Sequence, residues 1–261
     1  MPAIPVNEMS RRRDRILELV AERGHVVIAE LATELAVSEM TIRRDVAQLD
    51  QDERLVSFFG GVRSTQFDAY PGAFGVRAQD QSGVKNRIAQ KAIEFIAEDS
   101  VIALDAGSTV ALLAQKLVRR KNLRVVSASV PAITILAEAD GVELLGLGGT
   151  LRRGSQSFTG PSVVAAVREL QIDTFFLGAA GLSERGAFDV TDLDAVGKRE
   201  LIGVSSQVVA MADAEKFGRR AMSRIGEWSS IDVLITDDRI TDDMRQTLVE
   251  AGVKVICVPS H

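Results

Sequence analysis

Residues 37–46 read Val-Ser-Glu-Met-Thr-Ile-Arg-Arg-Asp-Val. Ser38 is a residue type that caps helices, because its hydroxyl can accept from the free backbone N–H groups of the first turn. Beyond it, a rotation of about 100° per residue places Ile42, Val46 and Leu49 in one narrow apolar stripe. The segment therefore predicts a helix that buries one face and presents the other.

The surrounding sequence predicts a small bundle of helices followed by a wing. The apolar spacing indicates two earlier helices, and Leu55–Phe59 has the composition of a strand that runs into a glycine turn. The elements expected here are helices over Arg11–Glu22 (ended by Gly24), Ala29–Leu35 and Glu39 to about Asp50, a strand over Leu55–Phe59, and a turn at Gly60-Gly61.

The outer face of the third helix is the candidate DNA contact. A recognition helix uses its early residues to reach bases, and its N-terminus meets phosphates. The same face also fits a plain helical bundle with solvated arginines, so the pattern alone leaves both interpretations open. The candidate DNA-binding residues are Ser38, Met40, Thr41, Arg43, Arg44, Gln48 and Gly61.

Net charge argues mildly against a nucleic-acid partner. The chain of 261 residues carries −5, with an isoelectric point near 5.3. Residues 1–65 hold 9 Arg and no Lys against 11 acidic residues, so this stretch also sums to −2. DNA responds to the local potential, so the case depends on where the arginines lie.

The rest of the chain predicts a second, larger domain of the α/β class. Residues 63–82, which contain Pro71, Gly72 and Gly75, have little periodicity and indicate a linker. From Lys85 onward, short apolar strands alternate with helices, which indicates a parallel, doubly wound sheet. The predicted organisation is 1–63 as a winged helix-turn-helix domain, 64–82 as a linker and 83–261 as the α/β domain.

A candidate anion site follows the first predicted strand of that sheet. There Asp105, Gly107, Ser108 and Thr109 precede and open a helix, and ligands of such sheets lie beyond the carboxyl ends of the strands. A glycine lets the backbone approach a phosphate closely, and the helix N-terminus favours negative charge. Lys216 follows another strand end. A simple helix cap and a solvated lysine are the competing explanations.

Both halves resemble the DeoR family of bacterial regulators. The resemblance covers Val37–Val46 with Leu49 and Gly60-Gly61, and continues through motifs in family order. These motifs are Lys85-x-x-Ile88-Ala89, Leu104-Asp105-x-Gly107-Ser108-Thr109, Gly148-Gly149, Gly160, Asp173-x-x-Phe176-x-Gly178, Lys198-Arg199 and Asp213-x-x-Lys216-Phe217-Gly218. The stretch from Lys198 to Met222 is most similar to regulators of the glycerol 3-phosphate type.

The resemblance implies a repressor of a sugar or polyol operon whose operator affinity responds to a phosphorylated effector. It implies a sensor domain related to ribose-5-phosphate isomerase, in which Gly149, Gly178 and Lys198 join the effector site. It also implies a homodimer or tetramer, since symmetric DNA sites require at least two copies. No cofactor is expected.

The sequence departs from the family pattern in three places. Val27 stands where a polar helix cap is common, Phe58-Phe59 stand where a basic residue or His precedes the wing glycines, and Ser127-Ala128-Ser129 replace Thr-Asn-Ser. These departures bear on the wing contacts and on the choice of effector.

Other functions are weighed against this one. A sugar-phosphate isomerase with an accessory helical domain has candidate groups in Asp105, Asp173, Asp213 and Lys216, but has no need of a winged helix. A purely structural interaction module is a weaker alternative. Two His and one Cys offer no metal-ligand spacing. With no membrane-length apolar run, no visible signal peptide and the single Cys257, we expect a cytoplasmic protein.

Overall fold

The structure, a computed structural model, describes residues 6–23, 25–52, 54–58, 61–64 and 74–261. The chain divides into two units, residues 1–77 and 78–261, and each is described by itself. Gly24, Phe59, Gly60 and Pro71, which figure in the sequence predictions, lie outside the described residues.

The N-terminal unit is a winged helix-turn-helix, as predicted. Strand β3 lies between β1 and β2 and pairs antiparallel with both. The elements are α1 Val6–Arg23, β1 His25–Val27, α2 Ile28–Glu34, α3 Glu39–Gln51, β2 Leu55–Phe58 and β3 Gly61–Ser64, and α4 Phe74–Gln79 spans the boundary between the units.

One apolar core holds this unit together. Ile42, Val46 and Leu49, the predicted stripe of α3, are buried against Ile16 and Leu19 of α1. Removing such side chains from water contributes about 1.5–3 kcal/mol each. The opposite face of α3 is thereby left to solvent.

The C-terminal unit is built on a seven-stranded parallel sheet in the order β15-β14-β12-β9-β4-β5-β6. Its helices are α5 Ser82–Ala92, α6 Ser108–Leu117, α7 Val130–Leu136, α8 Pro161–Arg168, α9 Asp192–Gly203 and α10 Asp242–Glu250. Its strands are β4 Val101–Leu104, β5 Leu123–Ser127, β6 Val142–Gly146, β7 Thr150–Arg152, β8 Ser157–Thr159, β9 Ile172–Leu177, β10 Gly181–Ser183, β11 Gly186–Asp189, β12 Ser205–Met211, β13 Ser223–Gly226, β14 Val233–Asp237 and β15 Lys254–Val258.

The two faces of the sheet carry different helices. Alternation along β4 points Ile102 and Leu104 into a core with α5, α6 and α7, whereas Ala103 joins a core with α8, α9 and α10. Helices cover both faces of the sheet, so the sheet is doubly wound, as predicted.

The strand order reverses between β4 and β9. The chain builds from β4 through β5 and β6 to one edge, then returns to the other side of β4 and builds β9, β12, β14 and β15. The connections that follow β4 and β9 run in opposite directions. They leave a crevice at the carboxyl ends of these two strands, which is where ligands bind in such sheets.

Three features differ from the sequence expectations. The expected linker contains α4, a hairpin joins β7 to β8, and β10, β11 and β13 form a small antiparallel sheet. These strands have three or four residues, too few for an alternating pattern to stand out from a loop.

Candidate functional site

The start of α3 is fixed by its predicted cap. The Ser38 side chain accepts from the backbone N–H of Thr41 at 3.2 Å, and the two hydroxyl oxygens lie 3.0 Å apart. By contrast, α2 begins at Val27 without a side-chain cap. The capped turn holds the N-terminus of α3 in one geometry.

The outer face of α3 presents the other predicted side chains of that helix. Met40, Arg43 and Arg44 are exposed. The guanidinium of Arg43 lies 3.4 Å from Glu39, and Gln48 donates to Asp52 at 3.0 Å. Within the described residues Arg44 has no ion-pair partner, so it is the most available cation of the face.

Gly61 lies in the wing and not on the exposed face. It is buried at the start of β3, opposite both Val27 and Phe58. Its role in the structure is to join the three strands at one point.

Asp45 is a buried acid on the inner face of α3 that the sequence analysis did not single out. Its two carboxylate oxygens accept from Arg12 Nε at 2.6 Å and Arg13 Nε at 3.0 Å. The available signal was its place beside Ile42 and Val46 in the apolar stripe, where an acid requires a partner.

In the C-terminal unit, the crevice between β4 and β9 holds the first group of predicted effector residues. Asp105 follows β4 and accepts from the backbone N–H of Gly178, which follows β9, at 2.8 Å. A Cβ placed on Gly107 would lie 3.9 Å from the Gly178 Cα, so the two loops nearly touch.

Lys198 lies at the centre of this group. Its Nζ is 2.7 Å from Asp105 Oδ2, 2.7 Å from Asp189 Oδ2 and 2.9 Å from the carbonyl oxygen of Gly178. Two carboxylates and one carbonyl oxygen therefore surround this ammonium group. The contacts described for Lys198 are with protein groups on both sides of the crevice.

Burial raises the pKa of Asp105 above its ordinary value, and the nearby Asp189 carboxylate adds to this. Lys198 and the Gly178 N–H act in the opposite direction without cancelling the effect of burial. Two carboxylates share one lysine here, so the cluster attracts hydroxyl donors and repels anions.

An anion is better placed a few residues further on, where α6 begins. Ser108 and Thr109 are buried in its first turn, and Gly107 is the residue before it. The first four N–H groups of a helix have no acceptor within the helix and carry a partial positive charge. This end of α6 can therefore hold a phosphate beside the acidic cluster.

Packing does not require glycine at position 107, although Gly107 is the N-cap of α6, where glycine is favoured over alanine. Its backbone is extended (φ −169°), and a Cβ would meet only the Gly178 Cα among the described atoms within 4 Å. Gly149 contrasts with it, because a Cβ there would lie 2.6 Å from the carbonyl oxygen of Thr159. Packing accounts for Gly149, whereas a Cβ at Gly107 would make only an ordinary contact.

The remaining predicted effector residues flank the crevice. Lys216, half-buried, ends a short 3-10 turn after β12, and Gly149 follows β6. Each of these strands is two places from β4, on opposite sides, which is roughly 10 Å at the usual strand spacing.

The loop of Lys216 is tied to the start of α5. Glu215 accepts from Gln81 Nε2 at 2.6 Å and from Arg239 at 3.1 Å, and Arg239 Nε also donates to Asp237 at 2.6 Å. Burial alone would raise the pKa of Asp237, but hydrogen bonds from Arg239 and from the Ala214 N–H outweigh it and lower that pKa.

A second buried polar cluster, around Asp194, was not predicted, because the hairpin of β7 and β8 that supplies Arg152 and Ser155 was not predicted. Asp194, in the first turn of α9, is 3.4 Å from Arg152 Nε and accepts from Thr191 and Ser155. It lies one turn before Lys198 on α9, so one helix face supports two polar clusters. Ser127 and Ser129, at the end of β5, are also buried, and the Ser127 hydroxyl donates to the Leu104 carbonyl oxygen.

The described residues offer neither a membrane span nor a metal site. No helix among them is both long and apolar enough to cross a membrane. Nor do they bring three His, Cys, Asp or Glu side chains into a group that could hold a metal ion.

Both units match known families. Residues 12–67 match the DeoR-like helix-turn-helix domain, and residues 80–238 match the DeoR C terminal sensor domain. The second match alone covers more than half of the chain.

The chain also matches curated regulators over nearly their whole length. The chain is 33% identical over 245 residues to the HTH-type transcriptional regulator YgbI of Escherichia coli (strain K12), covering 94% of this chain and 96% of that protein. It is 28% identical over 249 residues to the glycerol-3-phosphate regulon repressor of Escherichia coli (strain K12), covering 95% and 98%. A solved ribose 5-phosphate isomerase A from Methanocaldococcus jannaschii aligns at 18% identity with a TM-score of 0.41, over 53% of this chain and 55% of that one.

Proposed function

The chain belongs to the DeoR family of DNA-binding transcriptional regulators, and from that premise we propose that it represses an operon of sugar or polyol metabolism under the control of a phosphorylated effector. It is a regulator and not an enzyme, since its full-length relatives are regulators. The observation that carries the effector proposal is the crevice between β4 and β9, where the N-terminus of α6 adjoins a buried acidic cluster.

DNA is bound through the outer face of α3. Arg44 and Arg43 contact the major groove with Thr41, Met40 and Gln48, and the capped N-terminus at Ser38 meets a phosphate. Gly61 acts by shaping the wing. Two copies bind a symmetric operator, so we propose a dimer or tetramer that acts on DNA in the cytoplasm.

The effector lies across the crevice, with its phosphate at the start of α6 and a hydroxyl at Asp105. Its phosphate accepts from the N–H groups of Gly107, Ser108 and Thr109, in charge-assisted hydrogen bonds roughly twice as strong as neutral ones. Asp105, fixed by Lys198 and Gly178, accepts from a hydroxyl. Lys216 adds a positive charge from one side, and Gly149 shapes the other.

Two variants, one at each proposed binding site, test this proposal. The operator is the duplex selected by the protein from a random pool, and the effector is chosen by melting the protein against a panel of sugar and polyol phosphates. We expect Arg44→Ala to weaken operator binding and leave effector binding unchanged. Lys216→Ala should retain operator binding and lose the response to effector.

The unphosphorylated parent of the effector is the control. A ligand at 100 times its dissociation constant raises stability by about 2.7 kcal/mol, so a binding phosphate stands out in melting. If the parent binds as tightly as its phosphate, the placement of the phosphate on α6 is wrong. If no duplex is selected, the DNA-binding function is wrong.

A further inference from the structure

Asp45 follows Arg44 in the sequence, but its side chain faces the interior of the N-terminal unit. Only 3% of its side chain is exposed, and both carboxylate oxygens are bonded to arginines of α1. The side chains of Arg12 and Arg13 are 11% and 23% exposed. All three charged groups are therefore drawn into the contact between α1 and α3.

This contact attaches α3 at two points. Successive residues of a helix leave its axis about 100° apart, yet Arg12 Nε and Arg13 Nε converge on one carboxylate. A single ion pair permits rotation about the line joining its partners, whereas two donors on two oxygens fix rotation and shift together. Apolar packing at Ile42, Val46 and Leu49 adapts more readily to small shifts.

The same contact determines which arginines remain for DNA. Arg12 and Arg13 lie in an arginine-rich stretch that would bind phosphates if it were free, and their Nε groups are used by Asp45 instead. Contacts with phosphate raise affinity for every sequence equally, and base contacts raise it for one. Holding two cations inward lowers general affinity for DNA and leaves the outward pair on α3 to discriminate.

We propose that Asp45 is a positioning residue for DNA recognition: it fixes the direction in which α3 presents Arg43 and Arg44, and it keeps Arg12 and Arg13 from general phosphate binding. The inference rests on the proposed function, DNA binding through α3. It assigns a specificity role to an acid that touches no base.

The test compares Asp45→Asn with Asp52→Asn in the full chain. Both changes remove one negative charge from the end of the chain that binds DNA, but Asp52 is exposed and bonded only to Gln48 among the contacts described for its side chain. Affinity is measured against salt for the selected duplex and for poly(dI-dC). We expect Asp45→Asn to lower the ratio of selected to general affinity about tenfold or more. Its salt dependence on poly(dI-dC) should steepen, by about 0.9 in log–log slope for each arginine that reaches a phosphate.

If Asp45→Asn does not fold, single substitutions of its two arginine partners test the proposal instead. Arg12→Gln and Arg13→Gln each leave one partner on Asp45, and melting reports whether the variant is folded. We expect both to lower the affinity ratio with an unchanged salt slope. A slope reduced by about 0.9 would mean that the arginine contacts phosphate in the wild type, and the proposal would be wrong.

Two further outcomes would count against the inference or against the proposed function. If Asp45→Asn folds and matches Asp52→Asn in affinity ratio and slope, Asp45 has only a structural role and the inference is overturned. If the wild type selects no duplex, the proposed function fails first, which separates the two failures.

Discussion

At the residue scale, Lys198 shows how buried charges depend on one another. Its ammonium group lies 2.7 Å from Asp105 and 2.7 Å from Asp189, two buried acids that share this one cation. Breaking a buried pair by removing one partner is strongly destabilising, because the other charge is left without compensation.

We therefore expect Lys198→Met to destabilise the C-terminal unit by about 3–5 kcal/mol. Lys216→Met is the matched control, since that half-buried lysine at the same edge should cost less than about 1 kcal/mol. Urea unfolding of both variants measures the difference. Equal losses would mean that the cluster around Lys198 is not held as the distances indicate.

Gly107 and Gly149 separate a ligand requirement from a packing requirement. Alanine at position 107 meets no obstacle among the described atoms and needs no unusual backbone, so stability should fall by no more than about 1 kcal/mol, the cost of losing a glycine N-cap, while effector affinity falls about tenfold or more. Alanine at position 149 is forced against the Thr159 carbonyl oxygen and should cost about 1–3 kcal/mol. Melting and calorimetry on both variants distinguish the two glycines; a Gly107→Ala protein with normal effector affinity would contradict the proposed phosphate site.

At the element scale, the end of β14 is stabilised by the ion pair between Asp237 and Arg239. Because the pKa of Asp237 is lower in the folded protein than its ordinary 3.8, its contribution to stability is present above that value and is lost as pH falls through the folded pKa. Arg239→Gln removes the main hydrogen bond and raises that pKa. Acid unfolding, followed by circular dichroism, should then begin at a higher pH than in the wild type. Arg185→Gln, an exposed arginine on the hairpin between β10 and β11, is the control and should leave the midpoint in place.

Elements with a long apolar period could be predicted from the sequence, and short ones could not. The alternation of apolar strands and helices expected from Lys85 onward is observed, and the stripe of α3 is the one predicted. The strands β10 and β11 have three and four residues and lack alternation, so Asp189 could not be assigned to a strand end. The contact of Lys198 with two acids depends on tertiary geometry that spacing along the chain does not contain.

At the scale of the whole molecule, the division near residue 78 makes the sensor unit a candidate for independent folding. We expect a fragment of residues 74–261 to fold and to bind effector without binding DNA. A fragment of residues 82–261 should melt at a lower temperature, because it lacks Gln81, which is bonded to Glu215 and Arg239. Calorimetric melting of both fragments measures this. An unfolded 74–261 fragment would mean that the two-domain organisation is wrong.

Because the pKa of Asp105 is raised, effector binding at this carboxyl group should be linked to the release of protons. A hydroxyl that donates to this carboxylate favours its charged form, so binding of the effector should lower the pKa that burial has raised. As the solution is acidified through the raised pKa of Asp105, effector affinity should fall, and protons should appear in the buffer as ligand is added. The heat of binding at a given acidic pH will then differ between two buffers in proportion to their heats of protonation. Effector binding and proton release would thus be linked at this one carboxyl group.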